Sequence, residues 1–210
     1  MIHERRSSKH LSRCCIYFVF AMLFVGFALA KSTDNVNAAN TGNGTMSVTI
    51  NSVCGFGSNT GGSYSRTVTP AAAATTITGD AISVSCNDSV GYSVYAIGYS
   101  GDSYTGTNTD LIHNSNTAYN VKTNASFRGS YWKLKLAVSG GATVVGSYGS
   151  FQQIPSSYAQ VAKYTTNTTS GTITPSYQVY IGETQPAGTY TGKVKYTLVH
   201  PNNAAAPTAS

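Results

Sequence analysis

The stretch Trp132-Lys-Leu-Lys-Leu-Ala-Val138 places a large apolar side chain at every second position, with lysines between the first three. Successive side chains of a β-strand point to opposite faces of the sheet, so a period of two is typical of a strand with one buried and one solvated face. An α-helix would instead bring apolar residues together at spacings of three and four. The stretch therefore predicts a half-buried strand.

Five further stretches share this period, and clusters of Gly, Asn and Ser separate them. Antiparallel sheets commonly pack one face on a core and leave the other in water, which produces this alternation. We predict an all-β fold, an antiparallel β-sandwich of Ig-like or pilin-like type that occupies residues 45–200. The further stretches are residues 46–50, 82–86, 90–97, 177–181 and 190–198.

The remaining segments favour loops rather than helices. Residues 71–74 are too few to form a helix on their own, and residues 156–162 are expected to form a helical turn at most. The long segment 99–120 is polar and rich in Gly and Asn, so we predict that it is a functional loop.

The N-terminus has the organisation of an export signal. A cationic segment with Arg5, Arg6, Lys9 and Arg13 precedes an apolar run over residues 16–29. The run ends in Ala28-Leu-Ala30, the small-x-small pattern that signal peptidase recognises. We predict that residues 1–30 are a signal peptide, with Ala28 and Ala30 at the cleavage site. The alternative is an uncleaved N-terminal membrane anchor.

Both alternatives place the bulk of the chain outside the cytoplasm, because the cationic end stays inside. The chain would then be secreted or held at the cell surface, and it would meet a membrane only through this N-terminal segment. Residues 31–44 are rich in Asn, Ala and Gly, and we predict that they form a flexible leader. We predict that residues 201–210 form a disordered tail.

Two of the four cysteines, Cys54 and Cys86, lie in the exported portion. Cysteine pairs in exported chains usually form disulfides, and this pair would close a loop of 33 residues counting both ends. Chain-entropy arithmetic gives such a bond about 3.5 kcal/mol of stabilisation. A reactive thiol is the alternative, and it would need His113 or His200 as a partner.

Charge and composition argue against several functions. Only 10% of the residues are charged, and nine Lys and Arg face six Asp and Glu after residue 30. Nucleic-acid binding needs a clustered basic stripe, which this mild excess does not supply. No ligand spacing predicts a structural metal site, and no motif calls for a cofactor. The shortage of acidic and histidine residues also disfavours catalysis.

The closing strand, Pro186-Ala-Gly-Thr-Tyr-Thr-Gly-Lys-Val-Lys-Tyr-Thr-Leu198, resembles that of several exported bacterial surface modules. Spore coat U-type and fimbrial subunits have a similar turn followed by an alternating strand. WxL-type wall-surface proteins end in a similar strand, and their tripeptide is met here as Trp132-Lys133-Leu134. The resemblance implies a bacterial β-sandwich located at the cell surface.

The candidate ligand face consists of lysines and tyrosines at outward positions of two predicted strands. If those strands share a sheet, the lysines form a basic face that could contact anionic polymers. The alternative is a solvated face on which lysines prevent edge aggregation. The residues are Tyr131, Lys133, Lys135, Tyr180, Lys193 and Lys195.

The long polar segment holds a weak calcium candidate formed by Asp102, Asn108 and Asp110. Calcium prefers hard oxygen ligands, but the spacing does not match an EF-hand. Asp and Asn are also common turn residues, so an ordinary loop is the alternative.

These observations predict a non-catalytic secreted or cell-surface module for adhesion or envelope binding. Its partner would be an anionic wall polymer, a glycan or a surface protein. Two alternatives stay open, a pilin-like structural subunit that exchanges strands and a secreted carbohydrate-active enzyme.

Overall fold

A computed structural model describes residues 46–57, 64–99, 106–123, 128–166 and 168–208. The predicted signal peptide with Ala28 and Ala30, and the predicted leader 31–44, lie outside these ranges. Residues 49–210 belong to one compact unit. Within the described ranges, no helix has the length and apolar character needed to cross a membrane.

The described residues are organised in short and long β-strands, with one 3-10 turn at Thr117–Tyr119. The strands are β1 (Cys54–Phe56), β2 (Thr75–Thr78), β3 (Ile82–Cys86), β4 (Tyr92–Tyr99), β5 (Ile112–His113), β6 (Tyr131–Ser139), β7 (Thr143–Val144), β8 (Ala159–Tyr164), β9 (Thr168–Tyr180), β10 (Tyr190–Thr191) and β11 (Lys193–Val199).

The larger sheet is built around β9. Along one edge β9 pairs antiparallel with β6, from Tyr131 opposite Tyr180 to Ser139 opposite Thr172. Along the other edge it pairs first with β3 and then with β2, because β9 is long enough to receive both. Strand β1 completes this side by pairing with β3.

The smaller sheet has the order β11-β4-β8-β7, and all its pairs are antiparallel. The short strands β10 and β5 form a separate pair. All described pairings are antiparallel and no α-helix occurs among the described residues, which confirms the predicted all-β class.

One hydrophobic core lies between the two sheets. The larger sheet contributes Trp132, Leu134 and Ile173 to this core, and the smaller sheet contributes Tyr92, Val94 and Val161. The rings of Tyr92 and Tyr164 stack 4.1 Å apart, and the Tyr164 hydroxyl donates a hydrogen bond to the carbonyl of Ser139 across the core. Two antiparallel sheets that share a core in this way are consistent with a β-sandwich.

The disulfide between Cys54 and Cys86 is present, as predicted. Cys54 and Cys86 are direct partners in the β1–β3 pair, so the bond fastens a three-residue strand to the sheet. Both sulfurs are consumed by this bond, and the alternative of a reactive thiol at this pair does not apply.

The alternation at residues 46–50 predicted a first strand, and the structure differs there. Residues 46–53 carry no strand, and the first strand in the described ranges begins at Cys54. The side chains of Ile50 and Val53 are 82% and 70% exposed. Asn87 holds the end of this stretch, since it accepts a hydrogen bond from the amide of Val53 and donates one to the carbonyl of Asn51.

Residues 156–162 form no helical turn, because β8 begins at Ala159. The strand contains a bulge at Val161, where Val94 pairs with Ala162 while Tyr95 pairs with Gln160. The bulge leaves Val161 and Ala162 buried side by side, which hides the period of two from the sequence.

The predicted tail, residues 201–210, starts with a segment held against the smaller sheet. The Asn202 side chain donates to the carbonyl of Tyr164, and the Asn202 carbonyl accepts a hydrogen bond from the Ser93 hydroxyl. These contacts cover one end of β4 and β8.

The disulfide gives the first testable expectation. Replacing Cys54 and Cys86 together by serine removes the loop constraint, and the free energy of unfolding should fall by about 3.5 kcal/mol. Urea unfolding followed by tryptophan fluorescence measures this, because Trp132 is buried. Reductant should destabilise the natural chain by a similar amount and leave the double variant unchanged. Equal midpoints for the two proteins under oxidising conditions would contradict the expectation.

Asp88 gives a second expectation, for pH dependence. A hydrogen bond from the amide of Val90, followed by contacts with Ser52 and His200, holds the pKa of the Asp88 carboxyl below its ordinary value. A carboxyl with a lowered pKa stabilises the fold above its unfolded pKa and loses this contribution as the pH falls through its folded pKa. The urea concentration at the unfolding midpoint should therefore decrease as the pH is lowered below about 4. In Asp88→Asn this midpoint should decrease less steeply with pH.

The matched control for this experiment is Asp80→Asn, which changes an exposed carboxyl in the turn between β2 and β3. It should keep the steep acid dependence of the natural chain. Parallel curves for Asp88→Asn and the natural chain would exclude the role assigned to Asp88.

Candidate functional site

The outer face of the larger sheet carries most of the predicted ligand residues. On β6 the side chains of Trp132, Leu134 and Leu136 are buried in the core, so Tyr131, Lys133 and Lys135 point away from it. Their partners on β9 across this face are Tyr180, Gln178 and Ser176 respectively. All six outward side chains are half-buried.

Aromatic rings form a platform on this face. Tyr131 and Tyr180 are cross-strand partners, and their rings stack with centroids 5.5 Å apart and planes 21° apart. The ammonium of Lys133 lies 5.1 Å from the centre of the Tyr131 ring. A cation over an aromatic face is attracted by the ring quadrupole, so Lys133 and the tyrosine pair form one unit.

Phe151 joins the platform from a loop that sequence reasoning missed. Gln152 and Leu134 exchange two backbone hydrogen bonds of 2.8 Å, which lay the segment 148–152 along the free edge of β6. Lys135 places its ammonium 5.8 Å from the centre of the Phe151 ring. A depression of 440 Å³ opens beside Lys133, and Tyr148, Phe151 and Gln152 help to line it.

We call this surface the Tyr–Lys face. It consists of Tyr131, Lys133, Lys135, Phe151, Gln178 and Tyr180.

Lys193 and Lys195 do not belong to the Tyr–Lys face. They lie on β11, which pairs with β4 in the smaller sheet, whereas Lys133 and Lys135 lie on β6 in the larger one. The sequence-based expectation of one basic face assumed that the two strands share a sheet. The lysines instead divide between two faces, because β11 pairs with β4 in the smaller sheet and does not join β6.

The surroundings of Lys195 are also aromatic. Its ammonium lies 4.9 Å from the centre of the buried Tyr99 ring, and the hydroxyls of Tyr99 and Tyr158 are 3.5 Å apart. Burial raises the pKa of Tyr158, but a hydrogen bond from Thr197, the contact with Tyr99 and the charge of Lys195 outweigh burial and leave that pKa below its ordinary value.

Lys163 is a further cation that the sequence analysis did not single out. It pairs with Ser93 on β4 and with Thr143 on β7, and its side chain is exposed on the outer side of the smaller sheet. The lysine was missed because the bulge at Val161 conceals the strand that carries it. An alternation search that tolerates one inserted residue would find it.

The calcium candidate is only partly described, since Asp102 lies outside the described residues. The Asn108 side chain accepts a hydrogen bond from the amide of Asp110, an arrangement common in turns. The Asp110 carboxylate pairs with the ammonium of Lys122. No group of three His, Cys, Asp or Glu side chains suited to a metal occurs in the described part of the chain.

His113 is held in the structure by its neighbours. Its side chain is 5% exposed, its Nδ1 accepts a hydrogen bond from the amide of Asn116, and its Nε2 lies 3.2 Å from the carbonyl of Ala187. The rings of Tyr119 and Tyr190 meet it edge-on. His113 thus joins the segment after β5 to the turn before β10.

Comparison with protein families, with curated proteins and with solved structures finds no match for this chain. The resemblance to WxL-type, spore coat U-type and fimbrial modules therefore stays a prediction. The tripeptide Trp132-Lys133-Leu134 carries part of this resemblance. Within it, Trp132 and Leu134 are buried in the core and only Lys133 reaches the surface.

Proposed function

We propose that this chain is an exported, non-catalytic module of the bacterial cell surface that binds an anionic wall polymer or glycan through its Tyr–Lys face. The observation that carries the proposal is the placement of Lys133 and Lys135 over aromatic rings on one face of the larger sheet. The Ig-like or pilin-like sandwich is the scaffold that holds this face rigid.

The chemistry of the Tyr–Lys face suits an extended polymer. Aromatic rings offer large contact areas at a small cost in conformational entropy, and their faces can stack on sugar rings. The ammonium groups supply attraction for phosphate or carboxylate groups, which salt screens. Gln178 and Ser176 add hydrogen-bonding groups along the same rows. Aromatic and cationic groups that are repeated along neighbouring strands can contact successive units of such a chain.

This proposal is tested by retention of the chain from residue 31 on immobilised polyphosphate, with neutral dextran as a second matrix. We expect retention on polyphosphate that falls as salt rises from 0.1 M to 1 M. Lys133→Gln with Lys135→Gln should weaken it about twofold to thirtyfold, since exposed ion pairs contribute roughly 0.2–1 kcal/mol each.

The charge-matched control is Arg66→Gln with Arg128→Gln, which removes two cations from exposed loop positions. It should bind nearly as well as the natural chain. Equal losses in the two variants would show attraction by net charge alone, and salt-insensitive retention would exclude a charge-driven mode.

A second candidate function is a pilin-like structural subunit, and two observations favour it. The stretch 46–53 is apolar at Met46, Val48, Ile50 and Val53, and each of these side chains is exposed. At the other end, β11 is an edge strand of the smaller sheet. Its inward side chains Val194 and Tyr196 are only partly buried, whereas Val94 and Ala96 on neighbouring β4 are fully buried.

An extended segment with alternating apolar residues can add a strand to such an edge and complete the core. In this candidate function the segment would come from a second copy of the chain. Backbone hydrogen bonds to β11 would supply affinity, and the apolar side chains would cover Val194 and Tyr196.

Size-exclusion chromatography with light scattering tests the second candidate on the chain from residue 31. Strand exchange predicts oligomers that Ile50→Asp reduces to monomer. Thr49→Asp introduces the same charge one position away, on the other side of an extended strand, and should leave the oligomers intact. A monomer at all concentrations, or equal effects of the two variants, would exclude this assembly.

A further inference from the structure

Charge is distributed unevenly between strands and loops. Every charged residue in the described strands is a lysine, and none of these strands contains Asp or Glu. The described acidic residues all lie in turns and connections, where Asp110 pairs with Lys122 and Asp88 lies near His200. The strand lysines are Lys133, Lys135, Lys163, Lys193 and Lys195.

The strand lysines form two groups on opposite sides of the domain. Lys133 and Lys135 belong to the Tyr–Lys face of the larger sheet. Lys163, Lys193 and Lys195 occupy outward positions on β8 and β11 of the smaller sheet. They lie on either side of β4, whose outward residues Ser93 and Ile97 are buried, and we call the three lysines the second lysine face. The inner sides of both sheets contribute to one core, so the two faces point away from each other.

Protection of sheet edges explains only part of this pattern. Lysines commonly guard exposed edge strands against aggregation, and β11 is such a strand. Strand β8 is an interior strand between β4 and β7, and the segment 148–152 lies along the outer side of β6. Lys163, Lys133 and Lys135 therefore do not guard open edges.

We propose that the domain is bivalent and links two anionic polymer chains, one on the Tyr–Lys face and one on the second lysine face. This inference rests on the proposed polymer-binding function. The two sheets of a sandwich lie about 10 Å apart, so a chain bound on one outer face must turn around an edge of the domain to reach the other. Two separate chains meet no such obstacle.

The lysine spacing of the second lysine face also suits a polymer. Lys163 and Lys195 are separated by two strand spacings across the sheet and by four residues along it, or roughly 17 Å. This is the separation of their backbone positions, and a chain with repeated negative charges can span it.

A bridging assay tests bivalency. Polyphosphate is attached to beads, the monomeric fraction of the chain from residue 31 is added, and fluorescent polyphosphate is then supplied in solution. The amount of protein on the beads reports binding, and the captured fluorescence reports bridging. We expect the natural chain to bind the beads and to capture fluorescent polyphosphate. The captured fluorescence should first rise and then fall as the concentration of soluble polyphosphate increases.

Two variants each remove one face, Lys133→Gln with Lys135→Gln, and Lys163→Gln with Lys193→Gln and Lys195→Gln. Each variant should still bind the beads through its remaining face, with severalfold weaker retention. The fluorescence that each variant captures should fall about tenfold or more. The matched control, Lys135→Gln with Lys163→Gln and Lys195→Gln, removes three lysines but leaves one on each face. It should capture more fluorescence than either single-face variant.

The outcomes separate this inference from the proposed function. Absence of the natural chain from polyphosphate beads would overturn polymer binding itself. Retention without capture by the natural chain, or undiminished capture by either single-face variant, would overturn bivalency and leave polymer binding intact. Equal capture by the split control and the triple variant would also overturn it, because net charge would then explain bridging.

Discussion

Strand β9 is the element on which the rest of the larger sheet depends. Its thirteen residues pair with β6 along one edge and with β3 and β2 in succession along the other. Because side chains alternate along it, β9 sends Ile173 and Val179 into the core while Gln178 and Tyr180 face outward. A register slip of one residue would exchange these faces and expose the core residues, so the buried side fixes the position of the Tyr–Lys face.

The surface chemistry follows from the same alternation in an ion-poor chain. The charged residues of the described strands are lysines, and three of these five, Lys133, Lys135 and Lys195, place their ammonium groups over aromatic rings. Such a lysine buries part of its aliphatic stem while its ammonium reaches water. This arrangement of ammonium groups over aromatic rings is the basis of the proposed polymer binding.

The two ends of the folded unit are fastened by polar side chains rather than by long strands. Asn87 binds the backbone at Asn51 and Val53, and the disulfide fastens β1 immediately after them. Asn202 joins the C-terminal segment to β4 and β8. These contacts stop short of residues 46–50, whose apolar side chains stay exposed. The fold is thus well fastened where strands pair and leaves an apolar segment and the β11 edge for further contacts.

Much of the fold could be predicted from the sequence, because alternation is a local property. The period of two located β3, β4, β6 and β11 to within a few residues, and the presence of two cysteines after residue 30 predicted the disulfide between them. Alternation failed at residues 46–50, which have the pattern of a strand but no pairing partner among the described residues. It also failed at β8, where the bulge at Val161 breaks the period.

The sequence by itself determined the all-β class, the disulfide and which side of each regular strand carries lysine. Only the tertiary structure decided that β6 and β11 belong to different sheets, that Phe151 reaches Lys135, and that five strand lysines form two opposite faces. The physical reason is that alternation states which side chains share a strand face, whereas strand order depends on pairing between residues far apart in the chain. That pairing is selected by how the whole core packs, and no local pattern records it.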